Sequence, residues 1–177
     1  RRPKTGESSP LHPYIVQAFA KENFAPEQLP VLEASVVEMY LRILLEDDAQ
    51  LDELQVCELE RWHEMHLPLP EGLGASHVTI GGIMDRLDRV THDGRRLWRI
   101  VDYKTGGDPE TADSVAQLFE VRGGKHRHYM LQTFIYAEIL RRELAPDASS
   151  IAPALYFVHR ARGKNGFSPY LKMGKGK

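Results

Sequence analysis

Asp102 and Lys104, in the run Ile100-Val101-Asp102-Tyr103-Lys104-Thr105-Gly106, set a carboxylate and an ammonium two positions apart. An apolar entry and the Gly106-Gly107 pair bound the run as a strand. Strand side chains alternate, so Asp102 and Lys104 share one face and Val101 and Tyr103 take the other. Such a pair is common on solvated strands and says little alone. It gains weight from the preceding stretch Gly81-Gly82-Ile83-Met84-Asp85-Arg86-Leu87-Asp88-Arg89-Val90 and from Thr91-His92-Asp93-Gly94, which joins the two. Asp-Gly between apolar-rich runs signals a hairpin. Closing it brings a carboxylate of the first strand beside Asp102. Asp85 and Asp88 are three apart, so a regular strand sends them to opposite faces and only one can join Asp102; a β-bulge would reverse the choice. Two carboxylates and a lysine converging suit a divalent cation and a phosphate.

The elements that must position these groups follow from periodicity. The hairpin strands run roughly His77–Val90 and Leu97–Lys104, and Gly81-Gly82 marks a bulge or a close backbone approach. Upstream, Val56 to His66 reads as a strand with Val56, Glu58 and Glu60 on one face. His63 and His66 fall on opposite faces there and read as surface residues. A helix from about His126 to Leu144 carries Gln132 and Tyr136 as i, i+4 neighbours. Their ordinary reading is a buried tyrosine with an amide on its hydroxyl, and His126 and His128 read as exposed. Ile151 to Val158 is a further apolar strand, and Pro153 sets its start at an edge. Gly107 to Gly124 reads as a polar, mobile loop near the site. At the N-terminal end, residues 1–10 read as a disordered lead-in. Leu11 to Phe24 is a short amphipathic segment, Pro26-Glu27 a helix start, and Val31 to Leu45 a helix whose stripe is Leu32, Val36, Met39, Tyr40, Ile43 and Leu44.

The hairpin GGIMDRLDRV, then IVDYKTG, then a helix with Gln132 and Tyr136, resembles the PD-(D/E)XK nuclease superfamily over about residues 54–158. The nearest type is the nuclease domain of RecB and AddB helicase–nucleases. Asp-x-Lys alone is weak; Gly-x-x-Asp, Asp-Tyr-Lys-Thr-Gly, Gln-x-x-x-Tyr and an apolar strand in that order are fairly specific. The resemblance implies a restriction-endonuclease-like α/β core, a mixed sheet of about four to five strands flanked by helices with the hairpin central. Its Gly-x-x-Asp pattern selects Asp85, leaving Asp88 as a structural ion pair with Arg86 or Arg89. It implies Mg²⁺, replaceable by Mn²⁺, on Asp85, Asp102 and the backbone carbonyl of Tyr103. Lys104 would orient water or stabilise the transition state, Gln132 would lie near the metal water, and Tyr136 near a DNA phosphate. The implied function is metal-dependent hydrolysis of DNA, with exonuclease action in repair or recombination and a helicase subunit or domain as partner. A catalytically silent DNA-binding or scaffolding module is the alternative. An interaction domain with all these charges on its surface is a third reading, in which Asp85 and Asp102 would not converge. Relatives carry an upstream helix with Gly…His, which cannot be placed: His12 precedes Pro13, which disfavours helix at that position.

Composition bounds these readings. The chain has 177 residues, 42% hydrophobic and 27% charged, with a net charge of −2, as one globular domain would. There is no global basic signature, so nucleic acid needs a local patch. Arg160, Arg162, Lys164, Lys172, Lys175 and Lys177 form a basic end, read first as a solvated tail. Cys57 is the sole cysteine; it excludes an internal disulfide and a four-cysteine iron–sulfur cluster and fits a reducing, cytoplasmic setting. No stretch approaches a membrane span, and no signal peptide is visible. The expected organisation is a lead-in at 1–10, a helical part at 11–53, the nuclease core at 54–160 and a basic segment at 161–177. A start at Arg1 and an end in Gly174-Lys175-Gly176-Lys177 read as a fragment of a longer protein.

Overall fold

A computed structural model of the chain describes residues 9–25, 30–121, 127–144, 150–159, 170, 171, 173 and 174, with only the backbone of residue 92. The chain divides into two compact units, Arg1–Ala49 and Gln50–Lys177.

In the first unit, α1 spans His12–Lys21 and α2 Val31–Asp48. Pro13 sits in the first turn of α1, where a missing N–H costs nothing. His12 therefore begins this helix instead of preceding it. Within the unit Arg42 bonds Glu38 one turn back at 2.7 Å and Ser9 at 2.9 Å. The α2 stripe is half-buried except Leu32, which is 75% exposed. The Pro26-Glu27 helix start lies outside the described residues.

The second unit is a four-stranded mixed sheet in the order β1-β2-β3-β4. Its strands are β1 Glu53–Pro68, β2 His77–His92, β3 Arg95–Lys104 and β4 Ile151–Phe157. The hairpin β2–β3 is central, and β4 joins β3 in parallel after α3 Val115–Leu118 and α4 His128–Leu144. Asp93 (φ 50°) and Gly94 (φ 71°) make the two-residue turn, both left-handed as the twist of a tight hairpin requires. Pro153 stands on β4 at the sheet edge, as its missing donor demands. Helix α4 lies on one face of the sheet, where Met65, Met84, Leu87, Ile100, Tyr136, Ile139 and Leu140 form the core.

Between the two readings of Gly81-Gly82 the structure selects one, and three other expectations are corrected. The β1–β2 register runs unbroken through His63↔Gly82 and Glu64↔Gly81, so the two glycines are a close approach and not a bulge. The irregularity lies on β1, between Val56 and Glu58, and Glu60 has φ 50°. These features break the alternation on which a shared face of Val56, Glu58 and Glu60 rested. The left-handed residue Glu60 lies between Glu58 and His63, which meet although five residues apart. His63 is buried, not surface, with Nε2 2.8 Å from Glu58 and Nδ1 2.9 Å from Glu143 of α4. His66 points outward and is exposed, as is His128; His126 lies outside the described residues. Finally, the described part of the 107–124 connection is tied down. Ala112 and Leu118 are buried with Met130, Leu155 and Phe157, and Arg127 donates to the carbonyls of Thr111 and Gln117 at 2.6 and 2.7 Å. Two apolar side chains anchor a segment that looks polar on average. The basic residues expected at 160–177 fall outside the described residues. Among the described residues no helix is long and apolar enough to cross a membrane.

Candidate active site

The site forms where the central hairpin opens. The β2–β3 ladder ends at Arg86↔Val101. Beyond it, β2 pairs only with β1 and β3 only with β4. The next residues, Asp85 and Asp102, stand at the mouth of this fork. Asp85 Oδ2 accepts the backbone N–H of Tyr103 at 2.8 Å. Asp102 is 2% exposed, and its Oδ2 is 2.6 Å from Lys104 Nζ. Burial raises the pKa of Asp102; Lys104 offsets part of this, and the charge of Asp85 adds to it. Two carboxylates that repel one another in a partly buried fork are stabilised by a cation.

Lys104 is held from three sides. Besides Asp102, its Nζ donates to Gln132 Oε1 at 3.4 Å and lies 4.7 Å from the centre of the Tyr129 ring, a cation–π distance. Gln132 Nε2 donates to the Tyr136 hydroxyl at 3.1 Å, which donates to the Ile83 carbonyl at 3.0 Å. A hydrogen-bonded chain thus runs from the lysine along one face of α4 to β2. Gly82 makes it possible, since a Cβ there would sit 2.6 Å from the Tyr136 hydroxyl. Tyr136 is buried with its hydroxyl satisfied within the chain. The i, i+4 spacing made Gln132 and Tyr136 neighbours, as their hydrogen bond shows; Tyr129, one turn earlier on α4, was not singled out as a site residue.

Asp88 is on the other face. It bonds Arg86 Nε at 2.7 Å and both Nε and Nη2 of Arg99, at 2.9 and 2.7 Å. Arg86 was an anticipated partner; the second is Arg99 of β3, directly across the ladder, and not Arg89, which stacks on Trp98 at 4.9 Å. Burial works against the charge of Arg86, yet Asp88 and Tyr103 outweigh it and hold its pKa above the ordinary arginine value.

Among the described residues no three His, Cys, Asp or Glu side chains gather as a metal cage. The two carboxylates Asp85 and Asp102 instead fit a hard cation that takes few protein ligands and keeps water for the rest. No curated protein matches the sequence. A sequence model of the PD-(D/E)XK nuclease superfamily, whose members typically use divalent metal ions, matches residues 6–173. With nearly the whole chain matched and its mixed sheet flanked by helices, the protein belongs to the PD-(D/E)XK nuclease superfamily.

Proposed function

We propose that this chain is a Mg²⁺-dependent deoxyribonuclease of the RecB/AddB type that hydrolyses phosphodiester bonds. The observation that supports it best is the fork, where Asp85, Asp102 and Lys104 stand together with Gln132 behind the lysine. Asp85, Asp102 and the Tyr103 carbonyl would hold Mg²⁺ or Mn²⁺. When bound, the cation supplies activation of water and neutralisation of phosphate charge. The chain's own residues do the rest. Asp102 gives up its ion pair with Lys104, which frees the ammonium to face the scissile phosphate and stabilise the charge growing on it. Gln132 keeps the lysine aimed, and Tyr136 fixes Gln132 through the Ile83 carbonyl. Tyr136 thus acts from behind the site, because its hydroxyl is already engaged with protein groups. Backbone affinity for DNA comes from Lys and Arg and falls with salt. The family type argues further for exonuclease action in repair or recombination, in a cytoplasmic setting beside a helicase.

The test is Mn²⁺ titration and DNA cleavage with wild type, Asp85→Asn, Asp88→Asn, Asp102→Ala and Lys104→Ala. Asp102→Ala and Asp85→Asn lose metal, Asp85→Asn much more than Asp88→Asn. Lys104→Ala keeps metal affinity and its fold, while turnover drops by roughly two or more orders of magnitude. Equal metal affinity in wild type and Asp102→Ala would rule out the site. Cleavage by Lys104→Ala at the wild-type rate would remove the lysine from the mechanism.

A further inference from the structure

Tyr103 stands where the two sides of the fork meet. It has no ladder partner on β2, because pairing stops at Arg86↔Val101. Two side-chain contacts take the place of the ladder. Asp85 Oδ2 accepts the Tyr103 N–H, and Arg86 Nη1 donates to the Tyr103 hydroxyl at 3.1 Å. Consecutive residues of β2 therefore grip one residue of β3 at its backbone and at its side-chain tip.

Arg86 is itself immobilised by Asp88 Oδ1, and the other oxygen of Asp88 takes two N–H groups of Arg99. Asp88 is 0% and Arg99 1% exposed. Three ionised groups with an excess positive charge are costly to bury, and apolar side chains of similar volume commonly serve stability as well or better. What apolar residues cannot do is fix a direction. A guanidinium locked in one plane by a buried carboxylate presents its other N–H groups at set angles. Here Nη1 points at the hydroxyl of Tyr103, the residue between Asp102 and Lys104.

We propose that Arg86, Asp88 and Arg99 are positioning residues of the active site. Through the Tyr103 hydroxyl they fix the strand fork, and so the separation of Asp85 and Asp102 that a divalent cation requires. The inference rests on the metal site proposed above and adds to it a set of groups on the opposite face of the sheet. Groups that orient metal ligands from behind commonly change metal affinity without touching the ion.

The decisive variant is Tyr103→Phe. It deletes one oxygen and leaves the ring to pack beside Tyr156, whose ring centre is 6.0 Å away. Asp88→Asn, of equal shape, is the second variant, and Ile139→Val in the fully buried core is a control for plain loss of stability. Free Mn²⁺ is measured by electron paramagnetic resonance during titration of each protein, with melting temperatures taken in metal-free buffer. Tyr103→Phe and Asp88→Asn should each bind Mn²⁺ about tenfold more weakly than wild type. Ile139→Val should lower the melting temperature and leave Mn²⁺ affinity unchanged. If both network variants bind Mn²⁺ as wild type does while Asp102→Asn does not, the network is structural only and the proposal fails, though the metal site stands. If wild type binds no Mn²⁺, the metal site and this inference fall together.

Discussion

Asp102 is a nearly fully buried carboxylate beside a second one, Asp85. Its pKa is raised, chiefly by burial, so its folded-state value lies above its unfolded value. Such a group favours the folded state fully only below the unfolded pKa, and that contribution is lost as pH rises through the folded pKa. At pH 7 ionised Asp102 therefore costs stability. Asp102→Asn should melt higher than wild type at pH 7, and the gain should shrink as pH falls toward the ordinary aspartate value of 3.8. A lower melting temperature at pH 7 would mean that the Lys104 ion pair outweighs burial. Gly82 makes the complementary steric case. A Cβ there meets the Tyr136 hydroxyl at 2.6 Å, so Gly82→Ala should cost about 1–3 kcal/mol through overpacking. It should also slow cleavage by loosening Gln132 and Lys104. Gly106→Ala, with nothing within 4 Å, is the neutral comparison in thermal melts.

At the scale of elements, α4 joins the site to the core. Its first turns face Lys104 through Tyr129 and Gln132, its middle buries Tyr136, Ile139 and Leu140, and its last turn meets β1 through Glu143. That last contact is a histidine between two carboxylates, with both ring nitrogens at hydrogen-bond distance. His63→Ala leaves Glu58 and Glu143 facing a void with like charges. It should lower unfolding free energy by roughly 1–3 kcal/mol, read by urea denaturation. Little or no change would show that water replaces the imidazole without loss. The residue patterns announced the helix and both hairpin strands, because a 3.6-residue period and a two-residue alternation are local properties. They did not announce the His63 clamp, whose partner Glu143 is 80 residues away.

In the molecule as a unit, a cation held at the proposed site would link binding to folding. A cation that binds only the folded chain stabilises it by about 2.7 kcal/mol when present at roughly a hundred times its dissociation constant. Mn²⁺ should therefore raise the melting temperature of wild type and leave Asp85→Asn and Asp102→Asn unmoved. An equal rise in all three would place the binding elsewhere. With a net charge of −2, the chain has no overall field to draw DNA in, so weak DNA retention at physiological salt is expected from any local basic patch.

Legible from residue order alone were the hairpin, its Asp93-Gly94 turn, the shared face of Asp102 and Lys104, and the Gln132–Tyr136 pair. Each is set by residues within a few positions of one another, and backbone geometry converts such spacing directly into direction. For Gly81 and Gly82 residue order left a bulge and a close approach open, and the unbroken register with the Tyr136 hydroxyl against Gly82 decided for the approach. That the ladder opens at Asp85 and Asp102 came from the fold, because beyond Arg86↔Val101 β2 pairs with β1 and β3 with β4. Only the fold selected Arg99 over Arg89 as the partner of Asp88, since cross-strand register chooses between arginines that the sequence leaves equivalent. Likewise, the burial of Ala112 and Leu118 in an otherwise polar connection followed from α4 and β4 offering them an apolar surface. Local chemistry names the candidate groups, but which of them meet is fixed by strand pairing and packing between segments far apart in the chain.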